Sequence, residues 1–199
     1  MHLELVFPLT GARAVPVDHG HGLYGALKRV IPALEDLPGL GIHSLRGQPL
    51  PGGMLLLDAK QGGLRLRLNA EHLPMVMPLA GRSISVLGAP LCLGSPNLHM
   101  LTPSRNLWAR SVTLHFATIA WEEARTQLDH HLKQGYPAVT WQIRKPRTIR
   151  IHGKQILGFE VMATGVSEED SLRLQENGFG GRRAFGCGIF VRVGGKSNA

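Results

Sequence analysis

Apolar and charged residues alternate without a break in LRLRLN (64–69), the pattern of a strand with one face in a core and the other outside it. HLELVFPL (2–9) has the apolar content of a second strand. In GLYGALKRVIPAL (22–34), Leu23, Leu27, Val30, Ile31 and Leu34 recur at helical spacing. Asp18 or His19 stands where such a helix begins, and Pro32 predicts its end or a kink. GIHSLRG (41–47) and GGMLLLDA (52–59), separated by Gly and Pro, predict a hairpin. AEHLPMVMPLAG (70–81) predicts a short helix despite its prolines, and SISVLG (83–88) a further strand. The resulting order, β-α-β-β-α-β, is that of a ferredoxin-like domain.

After TPSRN (102–106) the order recurs. LWARSVTLHF (107–116) predicts a strand. AWEEARTQLDHHLKQG (120–135) predicts a helix with Trp121, Ala124, Leu128 and Leu132 on one stripe and Gly135 as its stop. The stretch 138–166 predicts two or three strands around a basic turn, and SEEDSLRLQENG (167–178) a helix. Ser167 caps that helix three residues before Asp170, with acids in the first turn favoured by the helix dipole. CGIFVRV (187–193) closes the second half as a strand. The fold class is therefore α+β, two tandem ferredoxin-like domains, with the boundary expected between 1–104 and 105–199.

Charge narrows the function classes. Lys and Arg number 22 against 14 Asp and Glu, a net +8, in a chain whose 43% hydrophobic content supports a packed core. A globular chain that basic points to a polyanion, most often a nucleic acid, with solubility charge as the plainer account. Aromatic residues make up only 6%, so phosphate and shape contacts should dominate over base stacking. Cys92 and Cys187 form neither a disulfide framework nor a CxxC zinc pair. MHLELVFPLTG is too short and too acidic for a signal peptide, and no apolar run reaches membrane-spanning length. The expectation is a cytoplasmic protein with no membrane partner.

Two basic elements carry the binding chemistry. NGFGGRRAFGCGIF (177–190) holds five glycines and the adjacent Arg182 and Arg183. It follows a helix and precedes a strand, the reverse of a P-loop or dinucleotide fingerprint, and it lacks GK[ST]. Two accounts of it stay open. Glycines at 178, 180 and 181 let a backbone approach a phosphate chain while the arginines supply charge and forked donors. Alternatively, the loop is a helix C-cap followed by a bulged strand. The second element, between 138 and 154, carries Arg144, Lys145, Arg147, Arg150 and Lys154 with no acid. Unbroken alternation would put Arg144 on one face and Lys145 with Arg147 on the other. Such a hairpin either reaches along a nucleic-acid backbone or is a charged edge that resists aggregation.

SLRLQENGFGGRRAFGCGIFV, preceded by RTIRIHGKQILGFEV, resembles the C-terminal half of the CRISPR repeat-processing endoribonucleases of the Cas6 family, within the RAMP superfamily. VPVDHGHGLYGALKR and GIHSLRG resemble a small branch of the same family, so the likeness spans nearly the whole chain. The resemblance implies tandem ferredoxin-like domains that bind the repeat hairpin of precursor CRISPR RNA. It implies one cut at the 3′ base of the stem, without metal or cofactor, leaving a 2′,3′-cyclic phosphate and a 5′-hydroxyl. The mature guide RNA often stays bound and joins other subunits of a Cascade-type effector complex. The glycine loop alone is also shared with non-cleaving RNA-binding subunits of such complexes, which is the alternative function.

Cleavage by attack of RNA's own 2′-oxygen needs a base, a proton donor for the leaving 5′-oxygen, and positive charge on the phosphorane. Histidine serves either proton-transfer role near neutrality, and Arg or Lys supplies the charge. His19 and His21, at the start of the first predicted helix, are candidates, because a helix N-terminus favours the neutral imidazole that a base requires. His43 in GIHSLRG, at the following strand, could also face the site and is the next choice after His19. Tyr24 could orient a ribose or fill the core, and Lys28 and Arg46 could meet phosphate or solvent. His130 and His131 are adjacent rather than i, i+4, and the remaining histidines are scattered, so no metal site is expected.

Overall fold

The computed structural model describes residues 1–11, 14–58, 63–116 and 120–193. The chain divides into two compact units, Met1–Met100 with Ala184–Gly186, and Leu101–Arg183 with Cys187 onward. The main segment of the first unit ends four residues before the boundary expected at 104/105, and a short piece of the glycine loop belongs to that unit.

In the first unit, β1 (His2–Gly11) is the central strand. One side pairs with β6 (Gly63–Asn69) from His2↔Asn69 to Pro8↔Gly63. Its other side pairs with β9 (Asn97–Met100), and its final residues pair with β8 (Ala89–Leu93). The edges are β3 (Gly41–Ile42) and β7 (Ser83–Val86), giving the order β3-β6-β1-β8-β7 with β9 beside β1. The LRLRLN alternation does what its period demands: Leu64, Leu66 and Leu68 are buried in the core with Leu3, Leu5 and Phe7, while Arg65 and Arg67 face the other way. Helix α1 (Gly20–Val30) adds Leu23, Ala26 and Leu27 to that core. At about 1.5–3 kcal/mol for each fully buried leucine, this stripe rather than helix propensity holds α1 in place. The helix stops at Val30, because Ile31 precedes Pro32 and is extended.

Two predicted elements take a different form. GIHSLRG does not pair with GGMLLLDA as one strand. Gly41–Ile42 joins the main sheet, and the hairpin is built instead by β4 (Gly47–Leu50) and β5 (Met54–Leu57), to which β2 (Ala14–Pro16) adds a third strand. The last residue of the predicted strand, Ala59, lies outside the described residues. The predicted helix 70–81 breaks into short turns at 70–72 and 77–79 around α2 (Leu73–Val76), because Pro74 and Pro78 each stand at the start of a new piece.

The second unit follows the ferredoxin-like order in full: β10 (Asn106–Val112), α3 (Trp121–Gly135), β11 (Thr140–Ile151), β12 (Lys154–Thr164), α4 (Glu168–Asn177) and β13 (Phe190–Arg192). The antiparallel sheet runs β11-β12-β10-β13. Ala124, Leu128 and Leu132 of α3 meet Leu174 of α4 and Phe159, Val161 and Ala163 of β12 in one core. Trp121, at the first turn of α3, stays half exposed rather than joining that stripe. Ser167 caps α4 by accepting the Asp170 amide at 3.1 Å, and Gly178 ends it with a positive φ of 67°. Among the described residues no helix is long and apolar enough to cross a membrane.

Candidate functional site

All three candidate histidines lie in the first unit, in different settings. His19 is the N-cap residue of α1, yet its side chain does not cap the helix. The ring is buried, and the Leu45 amide donates to its Nε2 at 2.9 Å. That fixes Nε2 as the acceptor, so Nδ1 carries the proton and donates to the Pro16 carbonyl at 2.9 Å. The imidazole thus bridges the residues before α1 and the segment 43–46, with both nitrogens engaged.

His43 is also buried, against a cluster built on the face of the sheet away from α1. Its Nε2 lies 3.2 Å from the Glu4 carboxylate, which accepts from Arg67 at 2.7 Å and Arg65 at 3.0 Å. Burial disfavours the Glu4 anion, but His43 and Arg67 outweigh it and hold the carboxyl well below the usual carboxylate range. Burial lowers the His43 pKa below its ordinary value against the pull of Glu4.

His21 differs. It sits two residues into α1 with a half-exposed ring, whose centroid is 5.9 Å from that of Phe185. Tyr24, one helical turn on, meets the same phenyl ring edge-on at 5.0 Å. The backbone comes close here: a Cβ on Gly20 would stand 2.7 Å from the Phe185 carbonyl, and one on Gly186 would stand 2.5 Å from the Ser44 hydroxyl. Sequence reasoning placed glycines in this loop but gave Phe185 and Ser44 no role. The pattern FG within GRRAFGCG was the only signal available. Lys28 is paired with Glu35, and Arg46 is exposed at the end of the 43–46 segment.

In the second unit the loop's glycines answer first to the loop itself. A Cβ on Gly178 would meet the Gly188 carbonyl at 2.3 Å, one on Gly180 the Thr113 carbonyl at 2.2 Å, and one on Gly188 the Phe179 carbonyl at 2.3 Å. The amides of Phe179, Gly181, Cys187 and Gly188 donate to Gly188, Thr113, Arg182 and Ser111. The C-cap and internal backbone contacts therefore account for most of the glycines, and Gly181 alone of this set has open space where a side chain would be. Arg182 is half-buried with a left-handed φ of 63°, and Arg183 donates to the Asn177 carbonyl at 2.8 Å.

The basic hairpin turns through His152 and Gly153, both at positive φ, with Ile151 opposite Lys154. Lys145, Arg150 and Lys154 are exposed along it. A bulge between Ile143 and Pro146 breaks the alternation, so Arg144 and Arg147 are not on opposite faces. Both reach Glu160 of β12, at 3.7 and 3.2 Å. Burial opposes the Glu160 charge, but the Trp108 side chain and Arg147 bond to the carboxylate and bring its pKa below the ordinary value. Glu160 and Trp108 were missed because nothing in the sequence announces a bulge. Among the described residues no three His, Cys, Asp or Glu side chains form a metal-binding group.

The Cas6 Crispr family model matches residues 3–194. The chain belongs to the Cas6 family. A relative from Myxococcus xanthus (strain DK1622), the CRISPR-associated endonuclease Cas6, is 39% identical over 194 residues, covering 96% of this chain and 82% of that protein. Among solved structures, a Cas6-related protein from Pyrococcus furiosus superposes with a TM-score of 0.65 at 13% identity, covering 98% of this chain and 99% of that one. An RAMP protein described as binding different RNA substrates matches equally well, at 0.65 and 12% identity, over 96% and 99%. These distant structural likenesses establish the Cas6 and RAMP fold, tandem ferredoxin-like domains, for this chain.

Proposed function

We propose that this Cas6-family chain is an endoribonuclease that binds the repeat hairpin of precursor CRISPR RNA and cuts it at the 3′ base of the stem. The observation that carries the reading is the 39% identity to a CRISPR-associated endonuclease over 96% of the chain. The RNA supplies its own nucleophile: the 2′-oxygen attacks the adjacent phosphorus, the bond to the 5′-oxygen breaks, and a 2′,3′-cyclic phosphate and a 5′-hydroxyl remain. Side chains alone then suffice, without a metal. We assign the proton transfer to His21, whose partly exposed ring lies beside Phe185 at the start of α1. His19 and His43, engaged within the fold, position the 43–46 segment. Arg182, Arg183 and the hairpin cations hold phosphates. The product guide RNA passes in the cytoplasm to other subunits of an effector complex.

The burial of two of the three candidate imidazoles favours a second reading, a non-cleaving RAMP-type RNA-binding subunit. Incubating repeat RNA with wild-type protein, His21→Ala, His19→Ala and His43→Ala, followed by a denaturing gel, separates the two. Cutting by wild type in excess EDTA, a cyclic phosphate on the upstream product, and loss of cutting with retained binding in His21→Ala are expected. Binding without any cutting by wild type would establish the second reading, and magnesium rescue after chelation would overturn the metal-free chemistry.

A further inference from the structure

Two guanidiniums that face an RNA ligand would ordinarily be left to solvent. Arg144 and Arg147 instead converge on one carboxylate, Glu160, although their own side chains are 47% and 37% exposed. The separations, 3.7 and 3.2 Å, describe loose ion pairs of the kind worth well under a strong buried contact. Glu160 itself is only 14% exposed and is the group the sheet holds in place. It bonds the Trp108 side chain of β10 as well as Arg147, so it keeps a partner when the arginines leave. The pairing depends on the bulge between Ile143 and Pro146, without which Arg144 and Arg147 would point to opposite faces.

We propose that Glu160 is a specificity-determining counter-anion: it occupies Arg144 and Arg147 until an RNA phosphate, correctly placed, displaces it. The inference rests on the RNA-binding reading above. A carboxylate and a phosphate oxygen offer a guanidinium the same acceptor geometry, so the exchange replaces one charge-assisted pair by another. An RNA whose shape sets a phosphate against both arginines regains what the exchange gives up. An RNA that merely supplies negative charge does not, and Glu160 reduces the local positive potential that would attract it. The carboxylate thus weakens indiscriminate binding more than specific binding.

The test measures binding of wild type and Glu160→Gln to the repeat hairpin and to a uridine homopolymer of the same length, over a series of salt concentrations. Gln keeps the shape and an oxygen for the Trp108 contact while removing the charge. Glu160→Gln should bind the homopolymer about three- to tenfold more tightly, the scale of one or two surface ion pairs, with a salt slope steeper by about one. Affinity for the repeat should change less, so discrimination falls. Adding Arg144→Ala and Arg147→Ala should abolish the gain, which a change in folding alone would not do. Unchanged or weaker homopolymer binding by Glu160→Gln, in a protein whose wild type still prefers the repeat, would overturn the proposal. A wild type that shows no preference would instead overturn the RNA-processing reading on which it rests.

Discussion

The amide of Leu45 donates to His19 Nε2 at 2.9 Å, while the other ring nitrogen bonds the Pro16 carbonyl. A histidine at the mouth of α1 therefore acts as a bracket between two stretches of backbone. Replacing it with Ala leaves a buried N–H and a C=O without this partner, each costing about 1–3 kcal/mol, and opens a void besides. His19→Ala should lower the midpoint of denaturant unfolding markedly. His21→Ala should leave it near wild type while removing cleavage. If unfolding curves for His19→Ala matched wild type, the bracket would carry no structural weight.

The loop glycines divide by the same reasoning. Gly180 and Gly188 combine positive φ with a backbone carbonyl where Cβ would stand, whereas Gly181 has open space there. Alanine at 180 or 188 should destabilise the protein by more than about 1 kcal/mol. Alanine at 181 should be almost neutral in thermal melts. Equal losses at all three positions would refute this division.

Acid should destabilise the first unit in two stages. The His43 pKa is lowered in the folded state, so the unfolded chain takes up protons first as pH falls below its ordinary 6.5, and stability declines. The Glu4 pKa is lowered too, so stability present above its ordinary 4.5 is lost further as pH falls towards the folded value. Unfolding free energy measured against pH should therefore fall below about 6.5 and more below about 4.5. His43→Gln should flatten the upper stage and, by removing one of the two groups that hold the Glu4 pKa down, shrink the lower one as well. A wild-type profile flat between these two values would contradict the lowered pKa of the buried imidazole.

What could be read from sequence was whatever depended on local periodicity and punctuation. The Leu64, Leu66, Leu68 alternation, the Ala124, Leu128, Leu132 stripe, the Ser167 cap and the Gly178 stop each follow from neighbours along the chain. What escaped depended on distant partners. β9 carries four exposed residues with no alternation and exists because β1 has a free edge for it. His19 reads as a helix-start histidine until Leu45, 26 residues away, is brought against its ring. Arg144 and Arg147 alternate on paper and coincide in space because the strand bulges between Ile143 and Pro146. Cations, imidazoles and glycines could be named as candidates from their chemistry. Their division into groups buried within the protein and groups exposed at its surface needed the fold.

The inclusion of Ala184–Gly186 in the first unit bears on how the polypeptide matures. An N-terminal domain ordinarily folds on the ribosome while its successor is still being made. Here residues 1–100 leave the ribosome without the phenyl ring that packs on Tyr24, and that gap stays open until residues 184–186 have followed them.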